Sequence, residues 1–398
     1  MAGCAGIIAE YNPFHNGHLH QIETLRKKGY DTVIIAMSGS VTQRGELALL
    51  SKFDRAKAAL RCGADLVLEI PYPFSSSSRK DYALAGMSVL KNAGCDAVCF
   101  GSESADLELL MSISEFTSSE EYEKNLSEAL KDRKPFAEAR EKVLYDHFGL
   151  LGDIITRSND ILAIEYLNAA RTLRWTPVFE VVERKGPYHD SKDEEEGFAS
   201  ASRLRELAGS YRFEELLKFV PVAVHEDYMR LFNRGSYFVS DTAFEKALMF
   251  ALSRRSSDEL SMIRDCNEEL SHAIANAVTE SDSLDSLFSN LPTKQYPRSR
   301  LRRILISAFL GTDKELMGKK EVPYLRVLAL RKDRTNLLSE ISGHSGVPMS
   351  ASLKKLEGES ELCRRVIRLE SRRTDAQAVF SKISTSVRRD YVSRLIKE

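Results

Sequence analysis

Residues 10–22 read EYNPFHNGHLHQI and follow directly on the apolar run AGIIAE at 5–10. Leu19, Ile22 and Leu25 then recur at helical spacing, so the stretch is a strand end, a turn and a helix start. Three readings of its histidines are open: a metal site, a histidine-rich turn without a role, and a cradle for phosphates. A helix that begins at His15–His18 aims free backbone N–H groups and the positive end of its dipole at one spot, which attracts anions. Gly17 lets a phosphate approach the backbone closely. His15 and His18 are three apart, share a face of the first turn, and can both donate to phosphate oxygens. Zinc would want a third and fourth ligand. His20 points elsewhere on a helix, and the sequence holds no HExxH and no paired CxxC; the expected metal ligands are therefore none.

Working outward, DTVIIAMSGS (31–40), ADLVLEIPYPF (64–74), CDAVCFGSES (95–104) and TPVFEVVER (176–184) are further strand candidates, with helical stretches at 51–62 and 84–93. Strands apolar throughout and separated by helices imply a parallel sheet covered on both faces. The expected fold is α/β, a Rossmann-like doubly wound sheet with ligands at the carboxyl ends of its strands. Residues 105–172 look like a packed helical insertion. From about 222 onward only helical periodicity is visible, which predicts a catalytic domain over 1–215 and an all-α domain over 216–398.

The chain has 398 residues and a net charge of −1, but residues 291–398 carry 24 Lys+Arg against 12 Asp+Glu. A basic C-terminal part suggests a polyanionic partner; the plainer reading is a basic domain docked on an acidic neighbour. Arg298, Arg300, Arg302 and Arg303 lead one helix, and Arg364, Arg365, Arg368, Arg372 and Arg373 form a second helical cluster. No apolar run reaches the roughly 18 residues a membrane helix needs. The N-terminus lacks the basic stretch of a signal peptide. Six scattered cysteines read as buried thiols of a reducing, cytoplasmic setting. Nothing in the sequence points to an obligate protein partner.

GFASASRLREL (197–207) offers a second phosphate element. Ser200 and Ser202 can cap a helix whose first turns carry Arg203 and Arg205, and an arginine there can reach a triphosphate. An ordinary Ser-capped helix is the plain alternative. The absence of GxxxxGK[ST], GxGxxG and GxSxG excludes P-loop, dinucleotide and serine-elbow sites.

Together, EYNPFHNGH and SASRLR resemble the two signatures of the HIGH-type nucleotidylyltransferase superfamily. MSGSVTQRGELAL, GADLVLEIPYPF, CDAVCFGSES, RSNDILAIEYLNA and ERKGPYHD, in this order, resemble the tRNA(Met) cytidine acetate ligase family. The resemblance implies a two-step reaction. ATP and acetate give acetyl-adenylate and pyrophosphate, and the acetyl group passes to the wobble cytidine of elongator tRNA(Met). It implies His15, His18, Ser202 and Arg205 as catalytic residues. It also implies ATP contacts along the first segment: Ile7, Ile8, Ala9 and Glu10 at the strand end, Tyr11, Asn12, Pro13 and Phe14 in the turn, and Asn16, Gly17, Leu19 and His20 on the helix with the two histidines. Gly101, Asn159 and Arg184 match further nucleotide positions. Mg²⁺ is implied as a phosphate counter-ion held mainly by substrate and water, and the two arginine clusters would hold the tRNA. SNDIL at 158–162 carries Asp160 where the family more often has a second asparagine, and SSSSRKDYALAG (75–86) also departs from it. A small-molecule adenylyltransferase of the same superfamily and a non-catalytic tRNA-binding protein are the competing readings.

Overall fold

The first apolar run forms strand β1 (Cys4–Ala9), and the place where β1 ends determines the site. The computed structural model describes residues 3–131, 136–149, 157–184, 197–312, 315–316 and 321–398. β1 lies between β2 (Thr32–Ser38) and β4 (Ala97–Ser102), parallel to both, with Ile7 level with Ile35 on one side and Cys99 on the other. β3 (Leu66–Ile70) extends the sheet beyond β2, and β5 (Val178–Glu183) extends it beyond β4. The chain thus runs outward from β1 to β3, then returns to β1's other edge as β4. Such a reversal leaves a crevice at the carboxyl ends of the strands.

Successive β1 side chains go to opposite faces. Ala5, Ile7 and Ala9 share a core with Ile22 and Leu25 of α1 (Asn16–Lys27) and Phe53 of α2 (Lys52–Arg61). Ile8 faces the other core, built on α3 (Arg79–Asn92) and α7 (Ser158–Thr172). Gly6 lies under α3, where a Cβ would stand 2.6 Å from a Leu90 methyl carbon; only bare backbone lets the helix sit that close. The insertion is helical, as expected: α4 (Leu107–Thr117), α5 (Glu120–Leu130) and α6 (Phe136–Phe148) precede α7, and Leu110, Ile113 and Phe116 join its core.

Beyond β5 come α8 (Ala201–Gly209), α9 (Phe213–Leu217), α10 (Val222–Asn233), α11 (Thr242–Ser253), α12 (Ser257–Ser261), α13 (Glu268–Thr279), α14 (Leu284–Asn290) and α15 (Arg298–Leu310). Leu248, Leu270, Leu287 and Leu301 anchor a third core there. The expectation of helices alone in the C-terminal part needs correction. Leu325–Leu330 is strand β6, antiparallel to β3 with Leu66 opposite Leu330, and it carries the short strands β7 (Met349–Ser350) and β8 (Ile396–Lys397). A short apolar run buried on every side has no alternation to betray it.

The last helices fasten this return. α16 (Asn336–His344) and α17 (Leu353–Glu359) precede the long α18 (Glu361–Val379) and α19 (Arg389–Val392). Lys52 meets Glu69 at 2.5 Å, Glu370 at 3.0 Å and Asp390 at 2.8 Å, and Arg326 meets Glu69 and Asp390, all buried. Glu370 also accepts the backbone N–H of Ser40 at 2.8 Å and of Tyr72 at 2.7 Å. The C-terminal helices therefore brace the very loops that leave β2 and β3. Part of the basic excess is spent in this way: Arg326, Arg331 and Arg302 pair with Glu69, Asp65 and Glu46 of the acidic part. For these three arginines the plainer reading, docking on an acidic neighbour, holds.

Candidate active site

The turn after β1 ends in a helix cap made of two imidazoles. Gly17 N–H donates to His15 Nδ1 at 3.1 Å, and His15 N–H donates to His18 Nδ1 at 3.1 Å. This is a reciprocal capping box with histidine in both side-chain roles. The rings stack with centroids 3.6 Å apart, and His18 also leans on Phe14 and Tyr11. Gly17 is closely covered: a Cβ would stand 3.0 Å from the His15 ring, which would have to shift away from its cap to admit it. With each Nδ1 accepting, the proton of each neutral ring belongs on Nε2.

Electrostatics keep both rings neutral. Burial, then the positive charges of Arg184 and Arg205, lowers the His15 pKa to about 3. Burial, then His15 and Arg184, holds His18 well below its ordinary value. Neither ring is a base for the reaction, because its only unprotonated nitrogen is already an acceptor. Both are preset Nε2–H donors.

The cleft above β1, β4 and β5 is lined by Ile8, Ala9, Glu10, Tyr11, Asn12, His15, Gly17, His18, His20, Gly101, Asn159 and Arg184. Arg55 fixes its rim: the buried guanidinium donates to the carbonyls of Glu10, Ser38, Gly39 and Leu50 at the ends of β1 and β2 and the start of α2. Glu10 Oε1 accepts Gln43 N–H at 2.7 Å, and burial raises its carboxyl pKa. Across the cleft, Glu103 takes Asn159 Nδ2 at 2.8 Å, Asn159 N–H at 3.1 Å and Arg184 at 3.3 Å. Asp160 returns the favour, accepting Ser102 Oγ and the N–H groups of Glu103 and Ser104. A carboxylate suits three converging donors, which explains the acid at this position. Among the described residues, no three His, Cys, Asp or Glu side chains gather as a metal cage.

Other expected contacts lie elsewhere. Ile7 and Phe14 are wholly buried in the core, Pro13 is buried in the turn, and Leu19 packs on the α1 core. Asn16 Nδ2 holds the Gly197 carbonyl at 2.8 Å, joining α1 to the segment before α8. There Ser200, not Ser202, caps the helix by accepting Arg203 N–H; Ser202 Oγ bonds Ser200 Oγ at 2.9 Å. Arg205 stands at the cleft's edge, donating to the Asn12 carbonyl at 3.0 Å. Sequence reasoning missed Gln43 and Arg44 after β2, Arg79 at the start of α3, and Gln21, Tyr82, Phe100 and Tyr166 on the walls. Arg44 was discoverable, since it follows the carboxyl end of a central strand. The part of ERKGPYHD beyond Arg184 lies outside the described residues.

The two arginine clusters split. Arg298 is exposed, Arg302 pairs with Glu46 at 2.5 Å, and Arg300 donates to the Asp265 carbonyl at 2.8 Å. Arg303 is buried beside Asp265, 3.6 Å away. On α18, Arg368 and Arg372 are exposed, Arg364 pairs with Glu361 and Arg365 with Glu315. Arg373 is fully buried, over the Tyr72 ring and donating to the carbonyls of Leu310, Gly311 and Leu369. Arg303 and Arg373 are therefore corrected from tRNA contacts to packing residues, because their side chains are enclosed within the protein and out of reach of a phosphate.

A family model described as HIGH Nucleotidyl Transferase matches residues 2–390. The chain is 33% identical over 402 residues to a tRNA(Met) cytidine acetate ligase of Thermoanaerobacter sp. (strain X514), covering 99% of this chain and 100% of that protein. It is 33% identical over 373 residues to its namesake from Clostridium perfringens (strain ATCC 13124), with 90% and 91% covered. Apo Thermotoga maritima TmcAL superposes with a TM-score of 0.93 at 28% identity over 99% of both chains. The same protein bound with alpha-thio ATP gives 0.91 at 27% identity over 100% of both.

Proposed function

Because this chain belongs to the tRNA(Met) cytidine acetate ligase family of HIGH nucleotidyl transferases, we propose that its cleft activates acetate with ATP and acetylates the wobble cytidine of elongator tRNA(Met). The observation that carries the chemistry is the imidazole cap: two neutral N–H donors on a helix start, beside Arg44 and Arg184. In the first step an acetate oxygen attacks the α-phosphorus, and the bond to the β-phosphate oxygen breaks. His15 and His18 donate to oxygens that gain charge, and such preorganised donors act without reorganisation. Arg205 at the edge stabilises the departing pyrophosphate, assisted by Arg44. Gly101, bare at the end of β4, lets the nucleoside lie against the backbone, and Asn159 and Arg184 are held in place for it by Glu103.

In the second step the cytidine N4 attacks the acetyl carbonyl and AMP leaves. The cytidine must be splayed out of its loop to enter the cleft. Arg298, Arg300, Arg302, Arg364, Arg365, Arg368 and Arg372 are the cluster members that remain as phosphate contacts, giving salt-dependent affinity with little base information. The cleft's own carboxylates, Glu10 and Glu183, do not form a cage, a donor set suited to Mg²⁺ carried by the nucleotide. That ion would neutralise phosphate charge. No helix of the described residues is long and apolar enough to cross a membrane; the tRNA acceptor is what supports a cytoplasmic setting. Incubation with ATP and acetate should give acetate-dependent ATP–pyrophosphate exchange without tRNA. An exchange that needs pantoate or a mononucleotide instead of acetate would favour the small-molecule reading.

A further inference from the structure

A second cavity, of about 390 Å³, adjoins the cleft. Residues 43–49 form the wall between them: Gln43 and Arg44 line the cleft, while Gly45, Glu46, Leu47 and Leu49 line the cavity. The wall is one chain thick and pressed against α15; a Cβ on Gly45, which has φ +80°, would stand 2.6 Å from Arg303 N. Arg205 borders both spaces, lining the cavity while it holds the Asn12 carbonyl.

The cavity floor is apolar and aromatic, with Leu47, Phe244, Leu248 and Leu305 all buried. At its mouth stands the half-buried ring of Phe288, with the Arg298 guanidinium 5.1 Å and the Arg302 guanidinium 5.9 Å from its centroid. Three carboxylates also line the cavity. Glu46 is engaged by Arg302, Glu245 accepts Ser240 Oγ at 3.3 Å, and Asp285 lies in the first turn of α14. Among the described residues Arg298 has no ion pair.

A flat ring beside an apolar floor, with a guanidinium over it that makes no ion pair among the described residues, suits an unstacked nucleobase that takes the guanidinium's place on the ring while its phosphate takes the charge. An acyl chain would use the floor but leave the ring–guanidinium mouth without a purpose. We propose that this cavity receives a base of the acceptor RNA next to the reacting cytidine, stacked on Phe288 with its phosphate on Arg298. The proposal rests on the reading that the acceptor is a tRNA. Neighbouring loop nucleotides can straddle a wall one chain thick, and one seated base would then fix which neighbour enters the cleft.

The test compares Phe288→Leu, Phe288→Tyr and Arg298→Ala in tRNA acetylation, with thermal melting and ATP–pyrophosphate exchange as controls. Phe288→Leu should raise the KM for tRNA about tenfold, the scale of one lost base stack, without changing the KM for ATP, and Phe288→Tyr should restore it. Arg298→Ala should raise the tRNA KM and lower the salt slope by about one; if Phe288→Leu melts early, wild-type protein with a tRNA abasic beside the wobble cytidine takes its place, and that tRNA's KM should rise about tenfold. A tRNA KM unchanged in both Phe288→Leu and Arg298→Ala overturns the proposal. So does a raised KM for ATP alone, which would make the cavity part of the nucleotide site. Wild-type protein that exchanges pyrophosphate yet acetylates no RNA would sink the tRNA reading itself, a distinct result.

Discussion

His15 does two jobs with two nitrogens, and substitution can separate them. Nδ1 caps α1 by accepting Gly17 N–H at 3.1 Å, while Nε2–H is left for the cleft. In His15→Asn the amide oxygen takes over the cap, since Asn is among the best residues there; in His15→Ala the cap is lost at about 1 kcal/mol. For a chain this long that difference is on the order of 2 °C in Tm. Both variants lose the Nε2–H donor. One preorganised donor to a developing oxyanion is worth about 2.7–4 kcal/mol, or roughly 10²–10³ in kcat. Acetate-dependent ATP–pyrophosphate exchange and thermal melting on the same preparations read the two jobs separately. Both variants should slow exchange by about 10²–10³-fold, with only the alanine variant melting early. An asparagine variant that exchanges within threefold of wild type, or melts as early as alanine, would refute the division of labour.

The same two histidines give a pH signature. Their folded pKa values lie below the ordinary value of 6.5, His15 at about 3. Below pH 6.5 the unfolded chain takes up protons that the folded state refuses, so stability falls as pH drops toward 3. Wild type should lose more Tm between pH 7 and pH 5 than His15→Asn; equal losses would count against neutral rings. Asp160→Ala strands three donors at about 1–3 kcal/mol each and should also raise the KM for ATP by loosening Glu103. Asp160→Asn keeps one acceptor oxygen and should cost about 1 kcal/mol in chemical denaturation; equal costs would contradict the donor count. Lys52→Met leaves Glu69 and Asp390 with Arg326 alone and takes from Glu370 its ion-pair partner, and should cost about 3–5 kcal/mol. A neutral result would mean the cluster contributes no stability.

The turn after β1 was legible because its local signals agree: an apolar run, a helix period and a glycine where a ring must lie close. Only the capping exchange between His15 and His18 escaped, since it depends on rotamers. Strand β6 was hidden because its pairing partner is remote and its six residues carry no alternation. The arginine clusters show what charge counting leaves out. Arg303 and Arg373 look like their neighbours in sequence, but Asp265 and the carbonyls at the end of α15 come from elsewhere in the chain and enclose them. Asp160 looked like a departure until the converging N–H groups of the 102–104 turn gave a carboxylate its reason.

The central claim is that one cleft joins ATP, acetate and tRNA. Purified protein incubated with ATP, labelled acetate and elongator tRNA(Met) should place label on the tRNA at the wobble cytidine, only when all three are present. A cytidine-to-uridine change at that position should abolish it. Label that instead appears on a small amine, or on tRNA irrespective of that cytidine, would contradict the account.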